Sequence, residues 1–311
     1  MLSNEDFRFD VSISKECFPD KTISNAMIGK SSRENRLIRK EYGYDSRRGV
    51  SFGELYTTPS ELLEYLLNGH VFCHVFNPYY IRKDGTFGSS QKTKRNFVYS
   101  QIIGVDIDET GYSSPQQYID TLRIKPTFWY TSYSHLKYNE EKNYGGPRFR
   151  LIYVFNSYID NPYYFRYCAF KLNKMIEEDT GEKIKDKCNL NCTQYFNGTC
   201  LDNSELNIEY GITNFIYGLE DIGVSFTKSS DSDYVDYLCN KCYYSCLKTD
   251  DYFGIRNELN RIAHKYYYYN FKRKIFEVYQ EVKITSHTIN GEMEKDRTSE
   301  FEYNYVVNEP Q

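Results

Sequence analysis

Gln101-Ile-Ile-Gly-Val-Asp-Ile-Asp108 is an apolar run that closes on two carboxylates. A run this continuous reads as a central strand covered on both faces, with its acids at the tip. In an extended chain residues i and i+2 share a face, so Asp106 and Asp108 converge about 7 Å apart along the backbone. Two acids so placed repel one another, and a divalent cation relieves them. Oxygen donors suit Mg²⁺ or Mn²⁺. A pair of solvated turn aspartates is the bland alternative. The strongly apolar Ile102, Ile103 and Val105 just before them favour the functional one.

Upstream, Thr58 reads as an N-cap, with Pro59 in the first turn, Glu61 closing a capping box and Gly69 as a stop. Leu62, Leu63 and Leu66 form its core stripe. A strand from His70 to Phe76 follows, then a polar, basic loop that includes Arg82, Lys83, Lys92, Lys94 and Arg95. Downstream, Ser114-Pro115 opens a short helix, and strands run from Thr127 to Ser132 and from Arg148 to Phe155. Asn161-Pro162 begins a long amphipathic helix that Thr180-Gly181 ends. The order strand, helix, strand, strand, helix predicts an α+β domain built on a mixed sheet.

The rest of the chain sets the limits. With 311 residues there is room for about two domains. The 33 Tyr and 20 Phe supply burial that Leu and Val usually give. No apolar run approaches the roughly 18 residues of a membrane span, so no membrane association is expected. The start, Met1 to Asp10, is polar and acidic where a secretory signal carries a basic end and an apolar core, which predicts a cytoplasmic protein. Nine cysteines, an odd number, fit reduced thiols better than a disulfide framework. A net charge of −4 means that nucleic-acid binding has to come from local basic patches. One lies between Lys30 and Arg48, where seven basic residues face three acids. A solvated surface is its simpler reading and phosphate contact the sharper one.

The expected division is an N-terminal extension with the basic patch (1–55), a catalytic domain (56–225), a helical C-terminal appendage (226–282) and a polar tail (283–311). In the appendage, Arg261 to Lys274 interleaves cations with Tyr266 to Tyr269, a pattern that fits a core-facing amphipathic helix or, less well, a nucleic-acid track. Cys239, Cys242 and Cys246 share one helical stripe, and Cys188, Cys192 and Cys200 form a second loose group. Neither has the paired spacing of a zinc site, so buried free thiols are preferred over zinc.

Three enzyme classes use an Asp-x-Asp pair. Asp106-Ile-Asp108-Glu-Thr110 fits the pattern of haloacid-dehalogenase-like phosphatases, with Asp106 as the nucleophile and a later strand ending in Thr131 or Ser132. Such an enzyme also needs a downstream lysine and an acidic pair, for which Glu220-Asp221 is the candidate, without the expected Gly-Asp setting. Glycosyltransferases hold Mn²⁺ with such a pair, but nothing else here points to a sugar. Nucleotidyl transfer needs two metals, a third carboxylate and cations for the triphosphate. The residues that follow favour it. Thr131-Ser-Tyr-Ser-His135 ends one strand, and Arg148 and Arg150 share a face of the next. Asp186, ahead of Thr193-Gln-Tyr-Phe-Asn-Gly198, is the candidate third carboxylate, with a loop aspartate as its simpler reading.

From about Gly69 to Gly198 the chain resembles the archaeo-eukaryotic primase superfamily, especially the primase-polymerases of plasmids, phages and integrated mobile elements. The resemblance rests on the apolar Asp-x-Asp, the Ser-His element, the Arg-x-Arg strand and the Asp then Thr-Gln-Tyr-Phe-x-Gly block. It implies that Asp106, Asp108 and Asp186 bind two Mg²⁺ or Mn²⁺ ions and act in catalysis. It further implies that His135 and Arg150, with Ser134 and Arg148, contact the incoming nucleotide. The partners it implies are a DNA template and nucleoside triphosphates, and it leaves a helicase or other replication protein open as a further partner, without saying whether another chain supplies it. The sequence departs from the family at its middle motif, where Tyr133 stands two residues before His135 in place of serine. A DNA-binding replication initiator without enzymatic activity is the competing non-enzymatic reading.

Overall fold

The strand that ends in the two aspartates lies inside the larger sheet of the computed structural model, which describes residues 2–28, 32–43, 52–77, 79–81, 87–89 and 94–224. In chain order the first strands are β1 (Leu2–Ser3), β2 (Phe9–Ser14), β3 (Phe52–Thr57), β4 (Val71–Cys73), β5 (Val75–Phe76), β6 (Tyr79–Ile81) and β7 (Phe87–Ser89). They are followed by β8 (Phe97–Ile107), β9 (Phe128–Thr131), β10 (Phe149–Ile159), β11 (Tyr195–Asn197), β12 (Tyr210–Ile212) and β13 (Phe215–Tyr217). The helices are α1 (Lys21–Ile28), α2 (Arg33–Glu41), α3 (Pro59–Leu67), α4 (Pro115–Thr121) and α5 (Pro162–Thr180).

The local signals form the elements they predict. Thr58 and Glu61 bond reciprocally, Glu61 N–H to Thr58 Oγ1 at 3.2 Å and Thr58 N–H to Glu61 Oε2 at 3.0 Å. Ser114 caps α4, and Asn161 Oδ1 accepts the N–H groups of Tyr163 and Tyr164 at the start of α5, which Gly181 ends. These caps satisfy N–H groups that the first helical turn leaves without partners.

The larger sheet runs β1-β13-β10-β8-β5, with β9 also on β10 and β12 on β9. The pairs are antiparallel except β10 with β13, so the sheet is mixed. A smaller antiparallel sheet runs β11-β4-β2-β3. The main core lies between the two, where Phe9, Val11 and Ile13 of β2 and Phe72 and Phe196 of β4 and β11 meet Ile102, Phe128, Tyr130, Ile152 and Val154. α3 adds Leu62, Leu63 and Leu66 to this core. Helix α5 packs on β8 and β10 with Phe165, Cys168, Leu172 and Ile176 buried.

The structure corrects the sequence reading at three points. The expected strand from His70 to Phe76 is two strands in different sheets, with β4 on β2 and β11, and β5 on β8. The break falls at His74, whose buried ring bonds Ser100 Oγ through Nδ1 at 2.8 Å among Phe97, Phe165 and Phe196. A chain that switches sheets needs such a corner. Residues read as an N-terminal extension supply β2 and β3, half of the smaller sheet, and Met1–Gly223 forms one compact unit. Arg39, counted in the basic patch, is 2% exposed and donates to the carbonyls of Ala26 (2.8 Å) and Met27 (3.4 Å), closing the end of α1.

The helical appendage and polar tail, with Cys239, Cys242, Cys246 and Arg261 to Lys274, lie outside the described residues. No helix among the described residues is long and apolar enough to cross a membrane.

Candidate active site

The site grows out of the inter-sheet core. On β8, Ile102 belongs to that core, and Gly104 lies so close beneath β11 that a Cβ there would sit 2.5 Å from the ring of Phe196. Asp106 is the next residue on the same face, directly opposite Arg150 in the antiparallel register. Apolar packing thus gives way to charge at the sheet's edge. Asp108 and Arg148 continue the same face by the two-residue period.

Arg150 is the hub. Its Nε donates to Asp106 Oδ1 and its Nη1 to the carbonyl of Asn197, and its guanidinium carbon lies 5.8 Å from the centre of the Tyr130 ring. The Tyr130 hydroxyl donates to the same Asn197 carbonyl at 2.9 Å. Burial works against the guanidinium's charge, but Asp106 and Tyr130 outweigh it and hold Arg150 protonated. The Asp106 side chain is 13% exposed. Its burial raises the carboxyl pKa, Arg150 pulls it back, and the charges of Asp108 and Asp186 push it up again. Asp106, Asp108 and Asp186 therefore act on one another, with Arg150 the cation that Asp106 bonds.

Asp108 is more open, with Lys142 Nζ 3.6 Å from its carboxylate. Glu109 faces Lys142 at 3.4 Å and pairs with Lys185. Thr110 Oγ1 and the Gly111 N–H each donate at 2.7 Å to Glu182, which anchors the loop after β8 to the end of α5. Asp186 Oδ1 accepts the Cys188 N–H at 2.7 Å. The Cys188 thiol is pushed up to about 11, first by its bond to Asp186, then by burial and the charges of Asp106 and Asp108. Asp186 is thus within electrostatic reach of the strand-end pair. Among the described residues no group of three or more His, Cys, Asp or Glu side chains is drawn close enough to hold a metal ion. Cys192 is buried and Cys200 half-buried.

His135 is 2% exposed and its tautomer is set. Nδ1 accepts the Arg148 N–H at 3.1 Å, so the ring proton sits on Nε2, 3.4 Å from Glu209 Oε1. Burial lowers its pKa; Glu209 and the bond to the Arg148 N–H oppose the fall, and the Arg148 charge adds to it. Ser134 lies in the turn before it, its backbone N–H on Ser132 Oγ at 3.3 Å, while Tyr133 is buried with its hydroxyl on the Phe18 carbonyl at 2.6 Å.

Arg148 differs from Arg150. Its guanidinium donates to four backbone carbonyls: Ser134 (2.9 Å), Lys137 (3.1 Å), Tyr144 (3.0 Å) and Asp108 (3.3 Å). It also lies over the Tyr144 ring at 5.3 Å. Four of its five N–H groups are thus committed to the protein itself, fastening the 132–147 loop to the end of β8.

Several side chains of the site carried no signal in the sequence. Asn197 joins α1 to the hub, accepting from Ser24 Oγ at 2.6 Å and donating to Asn25 Oδ1 at 3.2 Å. The Gly198 that follows is required, because a Cβ there would run into the carbonyl oxygens of Leu66 and His70. Lys21 opens α1 and lies within the field of Asp106, Asp108, Arg148 and Arg150. Partial desolvation lowers its pKa, Arg150 adds to the fall, and the two aspartates oppose it. Its neighbours Pro19-Asp20 mark only a helix start.

No family model and no curated protein matches the chain. Among solved structures, the AEP domain of the cyanophage S-2L primase-polymerase (PrimPol) matches at 11% identity, covering 70% of this chain and 88% of that one, with a TM-score of 0.32. The link to that structure is weak.

Proposed function

We propose that the chain catalyses template-directed nucleotidyl transfer, as a DNA primase and polymerase in the replication of a plasmid, phage or other mobile element. The observation that carries this reading is the facing of Asp106 and Arg150 across β8 and β10, with Asp108 one residue beyond the end of β8 and Asp186 within electrostatic reach. One largely buried carboxylate held by an arginine, with two more open carboxylates and a lysine near it, suits a metal-bound polyphosphate.

Carboxylate oxygens are the donors that hard divalent ions take, but the three aspartates are not gathered around one point in this structure, so binding would have to draw Asp186 in toward the pair. Asp106, Asp108 and Asp186 would hold them, and Arg150 engages Oδ1 of Asp106, leaving Oδ2 for a cation. Two Mg²⁺ or Mn²⁺ ions supply activation of a 3′-hydroxyl and neutralisation of a triphosphate and its leaving pyrophosphate. The protein's own contribution is orientation. Arg150 holds the Asp106 carboxylate in one rotamer and keeps N–H donors for an oxyanion. Neutral His135 would present its Nε2 proton, now weakly engaged by Glu209, to a phosphate oxygen, with Ser134 the residue before it in the same turn. Arg148, read from sequence as a phosphate contact, is assigned here to holding the loop that carries Ser134 and His135. Nucleoside triphosphates and a DNA template are the partners, with a helicase or other replication protein as a further candidate.

A phosphatase of the dehalogenase type is less well supported. Thr131, its expected phosphate contact, is buried with its hydroxyl donating to the Asn207 carbonyl and accepting from the Glu209 N–H. Asp221 accepts the Gly218 N–H and closes the turn at Leu219–Ile222, away from the phosphatase role the pair would need.

The test is Asp106→Asn beside wild type on primed and unprimed single-stranded templates with labelled nucleotides and Mg²⁺ or Mn²⁺. Template-dependent extension that disappears in the variant, with DNA binding retained, is expected. Failure of wild type to extend under either metal, together with release of phosphate from a simple phosphomonoester, would promote the phosphatase. DNA binding alone, unchanged by the substitution, would leave an initiator.

A further inference from the structure

Helix α1 carries one polar stripe that is tied to the site. Lys21, Ser24 and Asn25 stand at i, i+3 and i+4 and so share a face. The second and third of these are bonded to Asn197, whose carbonyl in turn receives Arg150 and Tyr130. The helix is also fixed at both ends. Asp20 Oδ1 accepts the Ile23 N–H at 2.9 Å, and Arg39 closes the far end. Ile23, Ala26 and Met27 are buried beneath it, so the helix has little freedom to turn the stripe away. Lys21 therefore stands on the helix face that is bonded, through Ser24, Asn25 and Asn197, to the Arg150 hub. The residue is open to solvent by surface area although its ammonium is partly desolvated, and among the described residues it forms no ion pair. It differs in this from Lys142 and Lys185, which are paired with Asp108 and Glu109.

We propose that Lys21 is a binding residue for the polyphosphate of an incoming nucleoside triphosphate, so that α1 supplies a cation from across the site to the group that Arg150 faces. The proposal rests on the nucleotidyl-transfer reading above and deepens it, naming a side chain that no motif marks. A lysine suits the task as a point charge on a flexible stem, able to follow the terminal phosphates as they leave with pyrophosphate. The contribution of a single charge-assisted contact predicts that Lys21→Ala weakens triphosphate binding about tenfold. A nucleoside monophosphate, which lacks the distal phosphates, loses little. Lys21→Arg keeps most of the affinity.

The experiment titrates the full chain with ATP, dATP, AMP and a single-stranded oligonucleotide, each with Mg²⁺, for wild type, Lys21→Ala and Lys21→Arg. Thermal melts verify that the variants fold, as expected for an exposed position. Selective loss of triphosphate affinity in Lys21→Ala, with rescue by arginine and unchanged AMP and oligonucleotide binding, supports the proposal. Unchanged triphosphate affinity overturns it and leaves the nucleotidyl-transfer reading standing. An equal loss for the oligonucleotide also overturns it, by assigning Lys21 to the nucleic-acid strand. If wild type binds neither ATP nor dATP, the nucleotidyl-transfer reading itself fails.

Discussion

Arg148→Met separates a structural arginine from a ligand-binding one. The substitution keeps an apolar stem over Tyr144 but removes four hydrogen bonds, to Ser134, Lys137, Tyr144 and Asp108. Each such bond contributes about 1 kcal/mol net, a little more when the donor is charged. Part is recovered, because Ser134 O also accepts from the Lys137 N–H and Tyr144 O from the Asn139 N–H, while water reaches the loop's outer side. The sum is a loss of about 4 kcal/mol, a large share of the roughly 5–15 kcal/mol that stabilises a folded domain. For a unit of this size it lowers Tm by about 10 °C. Urea unfolding of the ligand-free protein, followed by fluorescence, measures the stability. Limited proteolysis then shows whether the 136–143 segment becomes the first point of cleavage. Arg148→Lys fares little better, since one ammonium cannot reach four carbonyls spread over two segments. If ligand-free stability is unchanged in Arg148→Met while triphosphate affinity collapses, Arg148 is a phosphate ligand and this reasoning is wrong.

Other substitutions test the frame around the site. Gly198→Ala forces a methyl into the carbonyls of Leu66 and His70, and is expected to cost about 2–3 kcal/mol or block folding, read by soluble yield and thermal melts. Thr58→Ala removes the N-cap of α3 and lowers stability by about 1 kcal/mol, with little effect on nucleotide binding. His135 has a folded pKa below its ordinary value because burial disfavours the imidazolium. The unfolded chain therefore binds more protons as pH falls through about 6.5, and stability drops below that point. Unfolding at pH 5.5 and 7.5 should show a loss at the lower pH that His135→Gln reduces. An undiminished loss would assign the acid sensitivity to another group.

How much of this was legible depended on the range of the interaction. Caps and stops act within a turn, so Thr58, Ser114, Asn161 and Gly181 marked their helices correctly. The two-residue period of a strand placed Asp106 with Asp108 and Arg148 with Arg150 on common faces. It could not tell the two arginines apart, because that difference lies in what folds against them. Arg150 meets Asn197, 47 residues away, whereas Arg148 meets the loop just before it and the Asp108 carbonyl. The break at His74 was likewise hidden, since every residue from Val71 to Phe76 is buried and an apolar run does not say which sheet it joins.

By itself the sequence determined the helix ends, the central strand with its terminal acids, and the alternation that gives the two arginines a common side of their strand, all set by backbone geometry and neighbours a few residues away; the register that sets Arg150 opposite Asp106 came from the fold. Tertiary structure decided that residues 9–14 and 52–57 belong to the smaller sheet, that Arg39 is a buried cap, and that α1 is bonded to the Arg150 hub through Asn197. The reason is physical: Ser24 and Asn197 are 173 positions apart, and their bond exists only because burial of Phe72, Phe196 and the β8–β10 face brings the two sheets together. Such a contact follows from the total apolar surface removed from water, a property of the whole chain that no local pattern encodes.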